Sequence, residues 1–114
     1  MKLNVGIFQY EMQDESPNDK ISRLGTHLKN HSKIDLVICP ELFLSGYGNP
    51  EKIYQYSESH NGNFATKISS LAKKYGTSII YGYPEIHEGR VFNSAQLVNQ
   101  KGQSIANHRK NKCN

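Results

Sequence analysis

The chain of 114 residues has only two cysteines, Cys39 and Cys113. A pair so placed does not suggest a disulfide framework, and Cys39 sits in an apolar run where free cysteine behaves as a small hydrophobe. No stretch approaches the roughly 20 apolar residues of a membrane span. No signal pattern opens the sequence, because the short apolar run after Met1-Lys2 is broken by Gln9 and Glu11. Internal repeats, low-complexity tracts and linkers are absent too. The expectation is a soluble, cytoplasmic chain with no membrane contact.

Charge of one sign is lacking over most of the length. Residues 1–99 hold ten Lys/Arg and ten Asp/Glu, so the whole excess of +4 lies in Lys101, Arg109, Lys110 and Lys112. A basic tail can bind nucleic acid, but no aromatic residue interleaves with these cations to stack bases. No nucleic-acid partner is expected. Metal and phosphate signatures are also thin. His27 and His31 stand at the i, i+4 spacing that can hold zinc, yet no Glu lies between them, and His60, His87 and Cys39 fall on other elements. Gly46-Tyr47-Gly48 has no following Lys-Ser/Thr pair and is too short to cradle phosphate. No metal or organic cofactor is expected.

What the sequence does hold is an alternation of strand and helix signals. A strand is expected over Leu3–Tyr10. Ser16 can cap a helix, Pro17 suits its first position and Asp19 completes a capping-box-like pair. Ile21, Leu24 and Leu28 then recur at helical spacing, with Lys20, Arg23, His27 and Lys29 elsewhere around the wheel, to an end near His31. Asp35–Cys39 reads as strand two. A long loop holding Gly46, Gly48, Pro50 and Gly62 follows. Phe64, Ile68, Leu71, Ala72 and Tyr75 line one face of a second helix over Asn63–Tyr75, stopped by Gly76. Strands over Thr77–Tyr83 and Val91–Asn99 flank a Glu88-Gly89 turn, and Lys101-Gly102 turns into a short fifth strand. The order β-α-β-α-β-β-β implies an α/β layered sheet with both helices on one face.

One stretch carries chemistry. Leu36-Val37-Ile38-Cys39 is an apolar run that stops at Pro40, which cannot donate to a sheet ladder. Glu41 follows at once, at the strand's C-terminal edge, where open α/β sheets place their ligand crevices. Its neighbours Cys39 and Leu42-Phe43-Leu44 are apolar. A carboxyl so placed has a raised pKa unless a cation sits nearby, as a general base requires. The alternative is a loop glutamate with its head in water.

The run Pro40-Glu41-Leu42-Phe43-Leu44-Ser45-Gly46-Tyr47 resembles the motif around the catalytic glutamate of the nitrilase superfamily, the carbon–nitrogen hydrolases. Four further stretches fit in register. Lys2–Gln9 resembles the family's first strand, Ile79–Glu85 a central strand and its exit, Phe92-Asn93-Ser94-Ala95 the "YNSA" strand, and His108-Arg109-Lys110 the "YRK" motif that carries the catalytic lysine. The resemblance implies the N-terminal half of an αββα four-layer sandwich. It makes residues 1–114 the N-terminal part of a single domain, ending before the nucleophile region.

It also implies a Glu-Lys-Cys mechanism on a nonpeptide amide, carbamoyl or nitrile group, with no cofactor. Glu41 falls on the base and Lys110 on the lysine; read without the resemblance, Lys110 is a solvated tail residue. The family runs on from its lysine into an apolar residue, whereas Asn111-Lys112-Cys113-Asn114 follows here, and Cys113 stands in the wrong context for the nucleophile. The chain alone is therefore expected to be inactive. Glu85 either lines the crevice of Glu41 or is a turn residue, and Tyr47 either forms a pocket wall or packs its loop. The expected partners are a small amide or nitrile substrate in the full-length parent, and further copies of the chain in a homo-oligomer. The rival is a noncatalytic fragment or pseudoenzyme that only self-associates or binds a partner.

Overall fold

The computed structural model describes residues 2–8 and 15–113. Five strands form one sheet in the order β1-β2-β3-β4-β5. β1 (Val5–Ile7), β2 (Leu36–Ile38) and β3 (Ser78–His87) run parallel; β4 (Arg90–Val98) and β5 (Ser104–Lys112) follow antiparallel. This is the mixed α/β layering expected. β1 is shorter than the expected Leu3–Tyr10, and Gln9 and Tyr10 lie outside the described residues.

The parallel crossovers are made by α1 (Pro17–Asn30) and by the segment ending in α3 (Asn63–Tyr75). Ser16 caps α1 by accepting from the Asp19 amide at 3.2 Å, with Pro17 at the first helical position. The α3 N-terminus is capped from a distance: both Glu58 oxygens accept, from the Phe64 and Ala65 amides, at 2.9 Å. This satisfies two of the orphan donors that open any helix. Burial holds the Glu58 carboxyl above its ordinary value, against the pull of those two amides. α3 stops where Gly76 takes a left-handed φ of 61°.

Both helices pack on one face of the sheet. Leu24, Leu28, Ile68 and Ala72 meet Val37, Ile79 and Tyr81 there, all fully buried or nearly so. Burying each such aliphatic side chain contributes about 1.5–3 kcal/mol. The pleat sends alternate residues to the other face. That face carries Val5, Ile7 and Ile38, in register with Ile80, and no helix among the described residues covers it: Ile7 is 65% exposed.

Strand three, expected to end at Tyr83, runs on to His87, and three further expectations need correction. The long loop holds a helix, α2 (Pro50–Gln55), capped by Asn49 with Pro50 at its first turn. Strand five is nine residues long rather than short, because β4 supplies a partner along its whole length. Lys20 is not on the outer wheel of α1 but 2% exposed, with Nζ donating to the Phe43 carbonyl at 2.9 Å. Among the described residues no helix is long and apolar enough to cross a membrane.

Candidate active site

The site is built where β2 runs out beside β3. The Cys39 amide still donates to the Ile80 carbonyl at 2.8 Å, and the Gly82 amide donates to the Pro40 carbonyl at 3.3 Å. The chain then turns, and the Leu44 amide comes back to the Gly82 carbonyl at 3.4 Å. Leu42 adopts φ of 50°, a left-handed backbone that a leucine accepts only where its surroundings hold it. Those surroundings are apolar burial: Leu42, Phe43 and Leu44 are all sunk into the core. Lys20 ties the same turn to α1 through the Phe43 and Leu44 carbonyls. With three consecutive residues anchored inside, Glu41 is left at the rim.

Gly82 makes this approach feasible. A Cβ there would lie 2.4 Å from the Leu42 nitrogen, 2.7 Å from the Glu41 Cα and 2.8 Å from the Pro40 oxygen. All three are backbone atoms of the Glu41 turn. Only a residue without a side chain lets that turn rest on β3.

Two donors meet the Glu41 carboxylate. The Asn93 amide of β4 donates to Oε1 in a short hydrogen bond, and Lys110 Nζ of β5 donates to Oε2 at 3.2 Å. The sequence separations are 52 and 69 residues, so three distant segments converge. Together they hold the Glu41 carboxyl below its ordinary value, Asn93 contributing most and Lys110 next, with slight burial opposing. The raised carboxyl expected from its apolar flanks is not found. The Asn93 hydrogen bond first, and Lys110 as the nearby cation second, reverse the sign.

Glu41, Asn93 and Lys110 border a crevice of about 190 Å³, floored by Gly82 and walled by Cys39, Ile80, Ala95 and His108. Burial pushes the Cys39 thiol up to about 12, so at neutral pH it is a thiol and not a thiolate. A larger hollow of about 570 Å³ lies on the outer surface between α1 and α3. Its lining, Ser22, Thr26, Lys67 and Tyr75 among them, includes no carboxylate, imidazole or thiol, so the smaller crevice is the chemical one.

The other sequence candidates fall elsewhere. Glu85 fits neither alternative. It lies within β3, paired with Phe92, on the helix side of the sheet and fully buried, so it neither borders the crevice nor forms a turn. Tyr47 is 63% exposed in its loop and is not part of the crevice wall. His27 packs against Phe8 and stacks on His31; burial first, and His31 second, lower its pKa. Among the described residues no three His, Cys, Asp or Glu side chains gather as a metal site. Sequence reasoning missed Asn93 and Gly82 as parts of the site, although both stand in the stretches that carry the resemblance.

A strand-end carboxylate, an amide and an amine thus converge at one crevice of an α/β sheet, and comparison with known proteins shows the family. The carbon–nitrogen hydrolase family profile matches residues 4–113, and the chain belongs to that family. Among its relatives, a hydrolase encoded in the pqqF 5′ region of Pseudomonas protegens is 33% identical over 110 residues, covering 95% of this chain and 39% of the relative. The protein N-terminal amidase of Saccharomyces cerevisiae is 30% identical over 96 residues, covering 81% and 20%. Among solved structures, N-terminal amidase with a Gln-Val peptide superposes with a TM-score of 0.81 at 29% identity, covering 95% of this chain and 28% of that one. A superfamily member from Xanthomonas campestris, with an arsenic adduct in its active site, gives 0.82 at 27% identity, covering 95% and 40%. The five-stranded α/β unit is thus part of the family fold, and the chain spans two fifths or less of the length of these proteins.

Proposed function

We propose that this chain carries the base and the lysine of a hydrolase acting on nonpeptide carbon–nitrogen bonds in small amides, carbamoyl compounds or nitriles. The observation that carries the reading is the Glu41–Lys110 contact of 3.2 Å at one rim of the sheet. Glu41, ionised at neutral pH, takes a proton from a cysteine thiol. The thiolate attacks the carbonyl or nitrile carbon, and Lys110 stabilises the negative charge that develops. With an amide or carbamoyl group the proton held by Glu41 passes to the departing amine and a thioester forms; with a nitrile it passes to the nitrogen and a thioimidate forms, which loses ammonia once water adds. Water activated by Glu41 then releases the acid. A thiol is mostly protonated near neutrality, so a base makes the nucleophile. A fixed cation beside a developing oxyanion contributes about 3–4 kcal/mol in a water-excluded site.

The nucleophile is neither cysteine of this chain. Cys39 is buried with its thiol pushed up to about 12. Burial also raises the Cys113 thiol, and its backbone continues the β5 ladder onto the Val91 carbonyl. The thiol belongs to the portion that relatives carry beyond the matched segment. Substrate and assembly follow the same reading: a small amide or nitrile, and a homo-oligomer.

The test is a chimera in which residues 4–113 replace the corresponding segment of the Pseudomonas protegens hydrolase. It is assayed with a panel of amides, carbamoyl amines and nitriles, with circular dichroism as the folding control. Turnover in the chimera, and none from the 114-residue chain, is the expected result. A folded but inert chimera refutes the reading.

A second reading is favoured by the uncovered sheet face, where Val5, Ile7 and Ile38 are exposed. Contiguous apolar surface of this kind marks association sites. On that reading the chain is a noncatalytic piece that pairs through this face.

A further inference from the structure

We propose that Glu85 is a positioning residue for Lys110: from beneath the sheet it grips Arg109 and Asn107 and so holds the β5 bulge that aims Lys110 at Glu41. The proposal rests on the reading of Glu41 and Lys110 given above. It begins from the register of β5. Ser94 pairs with Arg109, but its neighbour Asn93 pairs with Asn111. Lys110 is the extra residue between them. A bulge of this kind leaves one residue unpaired and re-aims a side chain. Here the re-aimed side chain is the amine that reaches Glu41.

Nothing about β5 itself secures that bulge. β5 is the edge strand of the sheet, and its residues are exposed along most of its length. Register is weakly specified in such a strand, and a slip of one residue moves every side chain to the opposite face. Slippage would carry Lys110 away from Glu41.

Glu85 supplies what β5 lacks. Its side chain is fully buried, and three donors converge on it from β4 and β5. Ser94 Oγ donates to Oε1 at 2.8 Å, Asn107 Nδ2 to the same oxygen at 3.0 Å, and Arg109 Nη2 to Oε2 at 3.0 Å. Asn107 is itself fixed by the Tyr83 hydroxyl, which donates to Oδ1 at 2.6 Å. So the residue just before the bulge, and another two positions earlier, are both bolted to β3 across the intervening strand. A guanidinium binds a carboxylate with defined geometry and a lysine does not. Burying this carboxylate is costly unless its partners are well placed, which makes the grip selective for one register.

The test is carboxyl NMR titration of Glu41 in the 114-residue chain, compared with Lys110→Ala, Glu85→Gln and Arg109→Lys. Amide shifts of β1, β2 and β3 report whether the fold holds. Arg109→Lys keeps the charge opposite Glu85 and so remains informative should Glu85→Gln fail to fold. The expected result is a Glu41 midpoint below its ordinary value in the parent, raised by Lys110→Ala, and raised most of the way to the Lys110→Ala midpoint by each folded Glu85 or Arg109 variant. A purely stabilising role would lower the melting temperature and leave the Glu41 midpoint in place, and that result overturns the proposal. A parent midpoint that Lys110→Ala does not move would instead show that the Glu41–Lys110 pairing itself is wrong.

Discussion

Replacing Gly82 by alanine should damage the site from beneath, without altering any group that does chemistry. The new Cβ would stand 2.4–2.8 Å from three backbone atoms of the Glu41 turn, and backbone cannot yield as a flexible side-chain end can. Overpacking of this kind costs about 1–3 kcal/mol. Relief by lifting the turn would break the Gly82–Pro40 and Leu44–Gly82 hydrogen bonds, at about 0.5–1.5 kcal/mol each. The sum is about 2–6 kcal/mol, a large share of the 5–15 kcal/mol typical of a domain. With a urea m-value of about 1–3 kcal/mol/M, the denaturation midpoint should fall by about 1 M or more. The Glu41 carboxyl resonance should move as well, because the turn that carries it must shift. Gly48→Ala is the control. Gly48 has φ of 88° and nothing within 4 Å of its would-be Cβ, so it loses only about 1–2 kcal/mol to the left-handed backbone and leaves Glu41 alone. A Gly82→Ala chain with an unchanged midpoint and an unchanged Glu41 resonance would refute the close-approach argument.

Three further outcomes can be checked on the same chain. Lys20→Met keeps the packing but leaves the Phe43 and Leu44 carbonyls without that donor, and should cost about 1–3 kcal/mol in urea denaturation; no loss would show that Lys20 does not brace the turn. The Glu41 carboxyl lies below its ordinary 4.5 in the folded chain, so its stabilising contribution is present above that pH and is lost as pH falls through the folded value. Because both partners are substantially exposed, the contribution should stay below about 1 kcal/mol, and the stability gap between parent and Lys110→Ala should shrink on acidification; a gap that widens contradicts the sign. On the uncovered face, Ile7→Lys should weaken self-association in sedimentation at micromolar concentration; a parent that is already a monodisperse monomer would remove the case for pairing through this face.

Much of this was written in the sequence, and what was not has physical reasons. Ser16-Pro17 and Asp19 announce α1 through local chemistry that needs no tertiary context. Asn49-Pro50 carries the same kind of start signal, but the glycines around it read as loop and hid α2. Strand five was underestimated because Ser104–Lys112 is polar on nearly every residue, with no alternation to mark a strand; its pairing comes from β4. Strand three was expected to end at Tyr83, just before Pro84. β3 outlasts β2, however, and at that point its edge faces the Glu58 segment, where the Glu58 amide donates to the Pro84 carbonyl at 3.1 Å. The missing donor falls on that side, so the β4 ladder runs on and Glu85 is carried inside the strand. Glu41 and Lys110 were singled out by their motifs, and the structure brings their side chains into contact. The sign of the Glu41 pKa was not legible in the sequence, because it depends on donors 52 and 69 residues away.

The most direct measurement is the turnover of Glu41→Gln in the chimera that joins residues 4–113 to the remainder of the Pseudomonas protegens hydrolase. The substitution keeps the side chain's shape and removes its charge, and with it the capacity to accept a proton, at the loss of an exposed ion pair with Lys110 worth below about 1 kcal/mol. The account predicts a fall in kcat of roughly 10²–10⁴-fold, the usual share of a positioned base, with the melting temperature little changed. Turnover that survives Glu41→Gln, or that falls only in step with the melting temperature, would contradict it.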